Sequence, residues 1–192
     1  LRAAIRQFLA ERQVVVVDTR LLCHHGVTDP YLDNFTSTFN HQAEGEPTTL
    51  NWQTSPEYAM KRLSCSGSGS IYQLCKAFRN EQAGPLHNPE FTLLEWYRVG
   101  FDHHQLMDEV SELLCLLLDC PAPQRMTYQQ AFIQHLAVDP LSTSMHGLRL
   151  CAESHQLNTD NIAESERDFL LQWLFSSLIE PAIGQQQPVF IY

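Results

Sequence analysis

Apolar residues recur with two different periods along this chain, and the change of period marks where one kind of element gives way to another. Ile5, Phe8, Leu9 and Arg12 follow the spacing of one helix face. The β-branched run Val14 to Val17 comes next and predicts a short buried strand. Residues 22–50 are polar and broken by Asp29-Pro30, Gly45 and Pro47, which predicts irregular loops with a short strand at Phe35-Thr36-Ser37-Thr38. Thr54 or Ser55 is placed to cap a following helix, with Pro56 in its first turn and Glu57 near its positive end. The stretch Ser64 to Ser70 resembles a phosphate cradle only superficially. It lacks the Gly-Lys-Ser/Thr ending of a P-loop and runs into a strand, so it reads as a connector.

Residues 71–81 (IYQLCKAFRNE) and 91–97 (FTLLEWY) are rich in aromatic and aliphatic residues, and the loop between them holds Gly84-Pro85 and Asn88-Pro89. Two antiparallel strands joined by a loop are predicted. Side chains alternate across a strand, so Arg79 and Glu81 are expected on one face, and Phe91, Leu93, Glu95 and Tyr97 on one face of the partner. Helical spacing then takes over. Leu106, Met107, Val110, Leu113, Leu114 and Leu117 form one stripe. Thr127-x-x-Gln130 is a capping box ahead of Ala131, Phe132 and Leu136, and Phe169, Leu170, Trp173, Leu174 and Leu178 form a last stripe before Pro181. Val189 to Tyr192 is again strand-like. The expected class is therefore α+β, an antiparallel sheet flanked by helices, in one domain over 1–192 with a helical segment at about 103–180.

Composition narrows the function classes. The chain has 192 residues, of which 44% are hydrophobic, enough for one domain with a sizeable core. Its formal net charge of −10 argues against broad contacts with a nucleic-acid backbone, and Lys and Arg cluster only at Lys61-Arg62. The six cysteines show no CxxC pair and read as reduced thiols. No signal peptide and no apolar run of about 18 residues is evident, which fits a cytoplasmic protein. His24-His25 and His103-His104 do not read as a metal site, since adjacent residues in regular structure are expected to point apart.

The hairpin carries the candidate chemistry. A guanidinium at Arg79 offers a planar fork of donors for a phosphate, and Glu81 can accept from an exocyclic amine. His87 and Phe91 are four residues apart, about 13 Å if extended, which suits a donor at a terminal phosphate and a ring against a purine. ATP fits this spacing. The plainer alternatives are a surface ion pair for Arg79 and Glu81, a solvated loop residue for His87, a packing pair for Glu95 and Tyr97, and a helix-dipole role for Glu57.

Phe78-Arg79-Asn80-Glu81, a loop, and then His87-x-x-x-Phe91 resemble the second signature motif of class II aminoacyl-tRNA synthetases. Thr54-Ser55-Pro56-Glu57-Tyr58, Met60-Lys61-Arg62-Leu63 and HNPEFTLLEWY resemble the lysyl branch, and within it the lysine ligases that act on elongation factor P. The likeness extends through Tyr128-Gln129-Gln130-Ala131-Phe132 and Asp139-Pro140-Leu141-Ser142. It implies a class II catalytic fold and AMP-forming activation of (R)-β-lysine or lysine with ATP and Mg²⁺, followed by transfer to a lysine of elongation factor P. By position it implies Arg79 on the α-phosphate, Glu81 on the adenine amine, His87 on the γ-phosphate, Phe91 stacked on adenine and Asn88 lining the nucleotide site. Ser55, Pro56, Glu57, Glu95 and Tyr97 would line the amino-acid pocket, where carboxylates suit a substrate bearing two ammonium groups. A homodimer is implied too.

Ser55 favours the ligases, because lysyl-tRNA synthetases usually carry alanine there. Only a short helix precedes the motifs, so anticodon-dependent tRNA binding is not expected. Two departures stand out. Arg20 occupies the place of the proline that ends the family's first motif, which frees φ and adds a charge at the expected dimer contact. The sequence also stops before the acidic metal-binding segment and the glycine-rich third motif, so the chain reads as truncated, with the metal ligands expected further on. Residues 1–192 alone are expected not to adenylate; pyrophosphate exchange by that polypeptide would refute this. A lysyl-tRNA synthetase catalytic fragment and a non-catalytic truncated paralogue are the alternatives.

Overall fold

A computed structural model describes residues 1–40, 46–81, 84–85 and 87–192. Gly45 and part of the loop predicted between the hairpin strands lie outside the described residues. The chain divides into two compact units, Leu1–Asp102 and His103–Tyr192.

The first unit opens with helix α1, Arg2–Glu11, which buries Ile5, Phe8 and Leu9 as their spacing predicts. Strand β1 is shorter than expected, Val15–Val16, and both side chains are more than half exposed, while Val14 is buried. The run is therefore not a buried strand. It lies at a sheet edge, where only one side has a partner. The polar region supplies three strands rather than one: β2, Leu22–Cys23; β3, Thr36–Phe39; and β4, Thr48–Trp52, in the antiparallel order β2-β4-β3. Helix α2 spans Glu57–Cys65. Its N-cap is Pro56, without a side-chain cap; Ser55 Oγ, one residue earlier, accepts the Glu57 N–H at 3.1 Å. After α2 the chain turns through Gly67 (φ 86°) and Gly69 (φ 77°), conformations that glycine adopts without a Cβ penalty.

That connector delivers the chain into β5, Ile71–Phe78, which pairs antiparallel with β6, Glu90–Tyr97. Strand β1 adds to β5 in parallel, so this sheet has the order β1-β5-β6 and is mixed rather than wholly antiparallel. Ile71, Tyr72, Gln73 and Ala77 are buried, which anchors β5 in the interior of the first unit.

The second unit is mainly helical. It begins with α3, His103–Leu118, and continues through β7, Gln124–Met126, and α4, Tyr128–Leu136. Helix α5, Met145–Ser154, lies within the expected helical segment but has no stripe of its own in the sequence reading; Ser144 caps it by accepting the Gly147 N–H at 3.3 Å. Helix α6, Arg167–Leu174, passes into a π-helical turn at Phe175–Ile179 and a tight turn at Glu180–Ala182 that contains Pro181. Strand β8, Val189–Ile191, pairs in parallel with β7. The capping box is present: Thr127 Oγ1 accepts the Gln130 N–H at 3.1 Å and Gln130 Oε1 accepts the Thr127 N–H at 2.8 Å. Phe132, Leu148, Leu170, Leu174 and Ile179 are fully buried in one core.

One expectation fails here. The rings of His103 and His104 do not point apart; their centroids are 4.1 Å apart, and both lie against Tyr192 at 5.8 and 5.4 Å. Successive helical side chains diverge by only about 100°, which leaves two neighbouring rings within reach of each other, and both also meet the Tyr192 ring. Among the described residues no group of three or more His, Cys, Asp or Glu side chains is disposed to hold a metal ion.

Candidate active site

The register of β5 against β6 decides which side chains face together. Ile71 stands opposite Tyr97, Gln73 opposite Glu95, Cys75 opposite Leu93 and Ala77 opposite Phe91. These pairs share one face. The other face carries Tyr72, Lys76, Phe78, Glu90 and Trp96, with Phe78 against Trp52 at 4.7 Å between centroids and Lys76 paired to Glu90 at 2.8 Å.

Arg79 lies one residue past the end of β5, yet its N–H donates to the Pro89 carbonyl at 3.0 Å and so extends the ladder by a step. Its side chain therefore joins the face of Phe91, with the guanidinium carbon 5.1 Å from the ring centroid. Its Nε is buried without a hydrogen-bond partner. Glu81 departs from the expectation: the strand has already ended, the Asn80 N–H donates to the Asp33 carbonyl at 2.9 Å, and Glu81 sits exposed in a bend. Strand alternation does not fix its direction. In the loop, Gly84 and His87 exchange backbone hydrogen bonds, both 3.1 Å, which turns the chain tightly and leaves His87 and Asn88 exposed.

The other end of the face is acidic. Tyr97 Oη donates to Glu95 Oε1 at 2.6 Å, so the two associate along one strand rather than across strands. Burial first, then the Glu95 hydrogen bond and the charges of Glu95 and Glu57, push the Tyr97 phenol well above its usual value. Glu57 therefore lies within electrostatic reach of Tyr97. Glu57 Oε1 also accepts from Lys61 Nζ at 2.5 Å, and that hydrogen bond, with the Glu57 charge, raises the Lys61 ammonium; Glu95 contributes further. Ser55 and Pro56 immediately precede Glu57, with Pro56 buried.

Three residues, two on this face and one on α2, were not among the sequence-predicted site residues. Gln73 is 2% exposed; its Oε1 accepts the Thr19 N–H at 3.1 Å, and its Nε2 lacks a hydrogen-bond partner. Because a backbone N–H can only be met by the amide oxygen, the orientation of this amide is fixed. Cys75 lies beside it. Burial raises the Cys75 thiol, and the Gln73 amide eases it back without forming a bond of good geometry. Lys61 is the third. The signal for all three was available: Gln73 and Cys75 have the parity of Arg79, and Lys61 is one helical turn after Glu57. Arg20, by contrast, lines a different hollow of about 610 Å³ with Cys23, His24, His25, Phe39 and Arg62.

One face of the hairpin thus carries a cation and a ring at one end and a carboxylate with a phenol at the other. The chain belongs to the family described as tRNA synthetases class II (D, K and N), whose model matches residues 1–172. It is 55% identical over 190 residues to the elongation factor P (R)-β-lysine ligase of Vibrio parahaemolyticus, covering 99% of this chain and 59% of that protein. The ligases of Vibrio cholerae and Yersinia enterocolitica are 52% and 50% identical over 98% and 99% of this chain. The chain thus spans about 59% of the length of the curated relatives it matches. No helix among the described residues is long and apolar enough to cross a membrane.

Proposed function

We propose that this chain forms part of an enzyme that activates a lysine-type amino acid, (R)-β-lysine in preference to lysine, with ATP and ligates it to a lysine side chain of elongation factor P. The substrate carboxylate attacks the α-phosphorus, the bond to pyrophosphate breaks, and an acyl-adenylate forms. The neutral amine of the protein lysine then attacks the acyl carbon, AMP departs, the amine proton is released and an amide remains. Both units are read as parts of one catalytic domain, and a cytoplasmic homodimer belongs to the same reading.

The observation that carries it is the shared face: Arg79 with Phe91 at 5.1 Å at one end, and Glu95 with Tyr97 at 2.6 Å at the other. Phe91 and Tyr97 are six residues apart on the strand and share a face, about 20 Å, the length of an extended aminoacyl-adenylate. Arg79 would neutralise charge on the α-phosphate as the pentacoordinate state develops, and Phe91 would stack on the adenine. Glu81, His87 and Asn88 border the nucleotide end; Ser55, Pro56, Glu57, Glu95 and Tyr97 line the amino-acid end. Mg²⁺, when bound, would screen the charge of the polyphosphate.

The test uses the full-length protein. It is expected to catalyse β-lysine-dependent ATP–pyrophosphate exchange and to add the mass of one β-lysyl group to elongation factor P. Arg79→Ala should lower the exchange rate by on the order of 10²–10³. Charging of tRNA with α-lysine, without modification of the factor, would instead establish the synthetase reading.

A further inference from the structure

The acidic end of the site already contains an ammonium group, and it belongs to the protein. Glu57 begins α2 and Lys61 lies one turn later, with Nζ 2.5 Å from Glu57 Oε1. Glu95, which holds the Tyr97 hydroxyl, also acts on Lys61. A lysine side chain and the amine of a diamino acid present the same chemical group, so they compete for the same carboxylate. We propose that Lys61 sets the affinity for substrate: its ammonium occupies the place on Glu57 that one substrate ammonium takes, so binding a diamino acid exchanges one cation for another. This rests on the reading that Glu57 lines the amino-acid pocket.

Two features favour exchange over a fixed structural pair. Both side chains are about half exposed, 56% for Lys61 and 47% for Glu57, so water can solvate each as it releases the other. Glu57 also lies in the first turn of α2, where the helix dipole favours its charge without Lys61. Removing the lysine would then leave an ionised carboxylate free, and the pocket would hold a cationic substrate more tightly. Lysine has no other evident task here beyond the weak support that a pair spaced i, i+4 gives its helix.

The experiment compares full-length wild type with Lys61→Gln and Lys61→Arg. Lys61→Gln should lower the KM for lysine or β-lysine in pyrophosphate exchange roughly two- to fivefold, the scale of an exposed ion pair, with kcat within about twofold. Lys61→Arg should restore the wild-type KM. As a readout independent of turnover, calorimetric binding of 1,5-diaminopentane should tighten by the same factor in Lys61→Gln. An unchanged or raised KM, or unchanged diamine binding, overturns the proposal and makes Lys61 a support for Glu57 or a bystander. A wild type that neither exchanges nor binds the diamine removes the functional reading itself, and this inference with it.

Discussion

Tyr97 shows how a single hydroxyl is set by its neighbours. Because its phenol loses water on folding and donates to Glu95, its folded value stands above the ordinary tyrosine value of about 10. A raised folded value means that the native state keeps a proton that the unfolded chain releases. The resulting stability is fully present below about pH 10 and is lost as pH rises from there toward the folded value. Tyr97→Phe removes this group from the balance. Thermal melts of the full-length protein at pH 9 and pH 11 should therefore show a larger loss of stability for wild type than for Tyr97→Phe; equal losses would contradict the assignment. At the same scale, Arg79 and Phe91 were legible from parity alone, whereas Glu81 was not. Alternation fixes a face only while the strand lasts, and Asn80 leaves the ladder to bond Asp33.

Among the elements, α4 is the one whose start is written most plainly. Thr127 and Gln130 satisfy each other's backbone N–H groups, which the first turn of a helix otherwise leaves open. Thr127→Ala should cost about 1 kcal/mol, read as a lower denaturation midpoint with an unchanged slope in urea. Helix α5 was not picked out individually for a related reason. Its buried positions are Met145, Leu148, Cys151 and Ala152, a stripe with a single large aliphatic residue against the repeated Leu and Phe of the stripes on either side. The β1 run erred in the opposite direction. Four consecutive valines resemble a strand buried on both faces, but sequence pattern cannot reveal whether neighbours exist to bury it.

Each unit has buried side chains of its own: Ile5, Phe8, Leu9, Met60, Ile71 and Ala77 in the first, and the cluster around Phe132, Leu148, Leu170 and Leu174 in the second. Phe132 is fully buried, so Phe132→Ala should remove about 3–5 kcal/mol from the second unit through lost transfer energy and the cavity left behind. Amide hydrogen exchange in the full-length protein should then accelerate across α4, α5 and α6, while the β5–β6 amides keep their protection. Equal acceleration in the hairpin would show that the units open as one.

The sequence by itself determined the periods, the caps and the order of chemical groups along the hairpin, because each depends on residues within a few positions of one another. Which groups meet was decided only by tertiary structure. The register that sets Gln73 opposite Glu95, the ladder step that brings Arg79 over Phe91, and the electrostatic influence of Glu57 on Tyr97 and of Glu95 on Lys61 all join residues separated in the chain. Such contacts depend on how sheet and helix pack, and no local pattern encodes the distance between them.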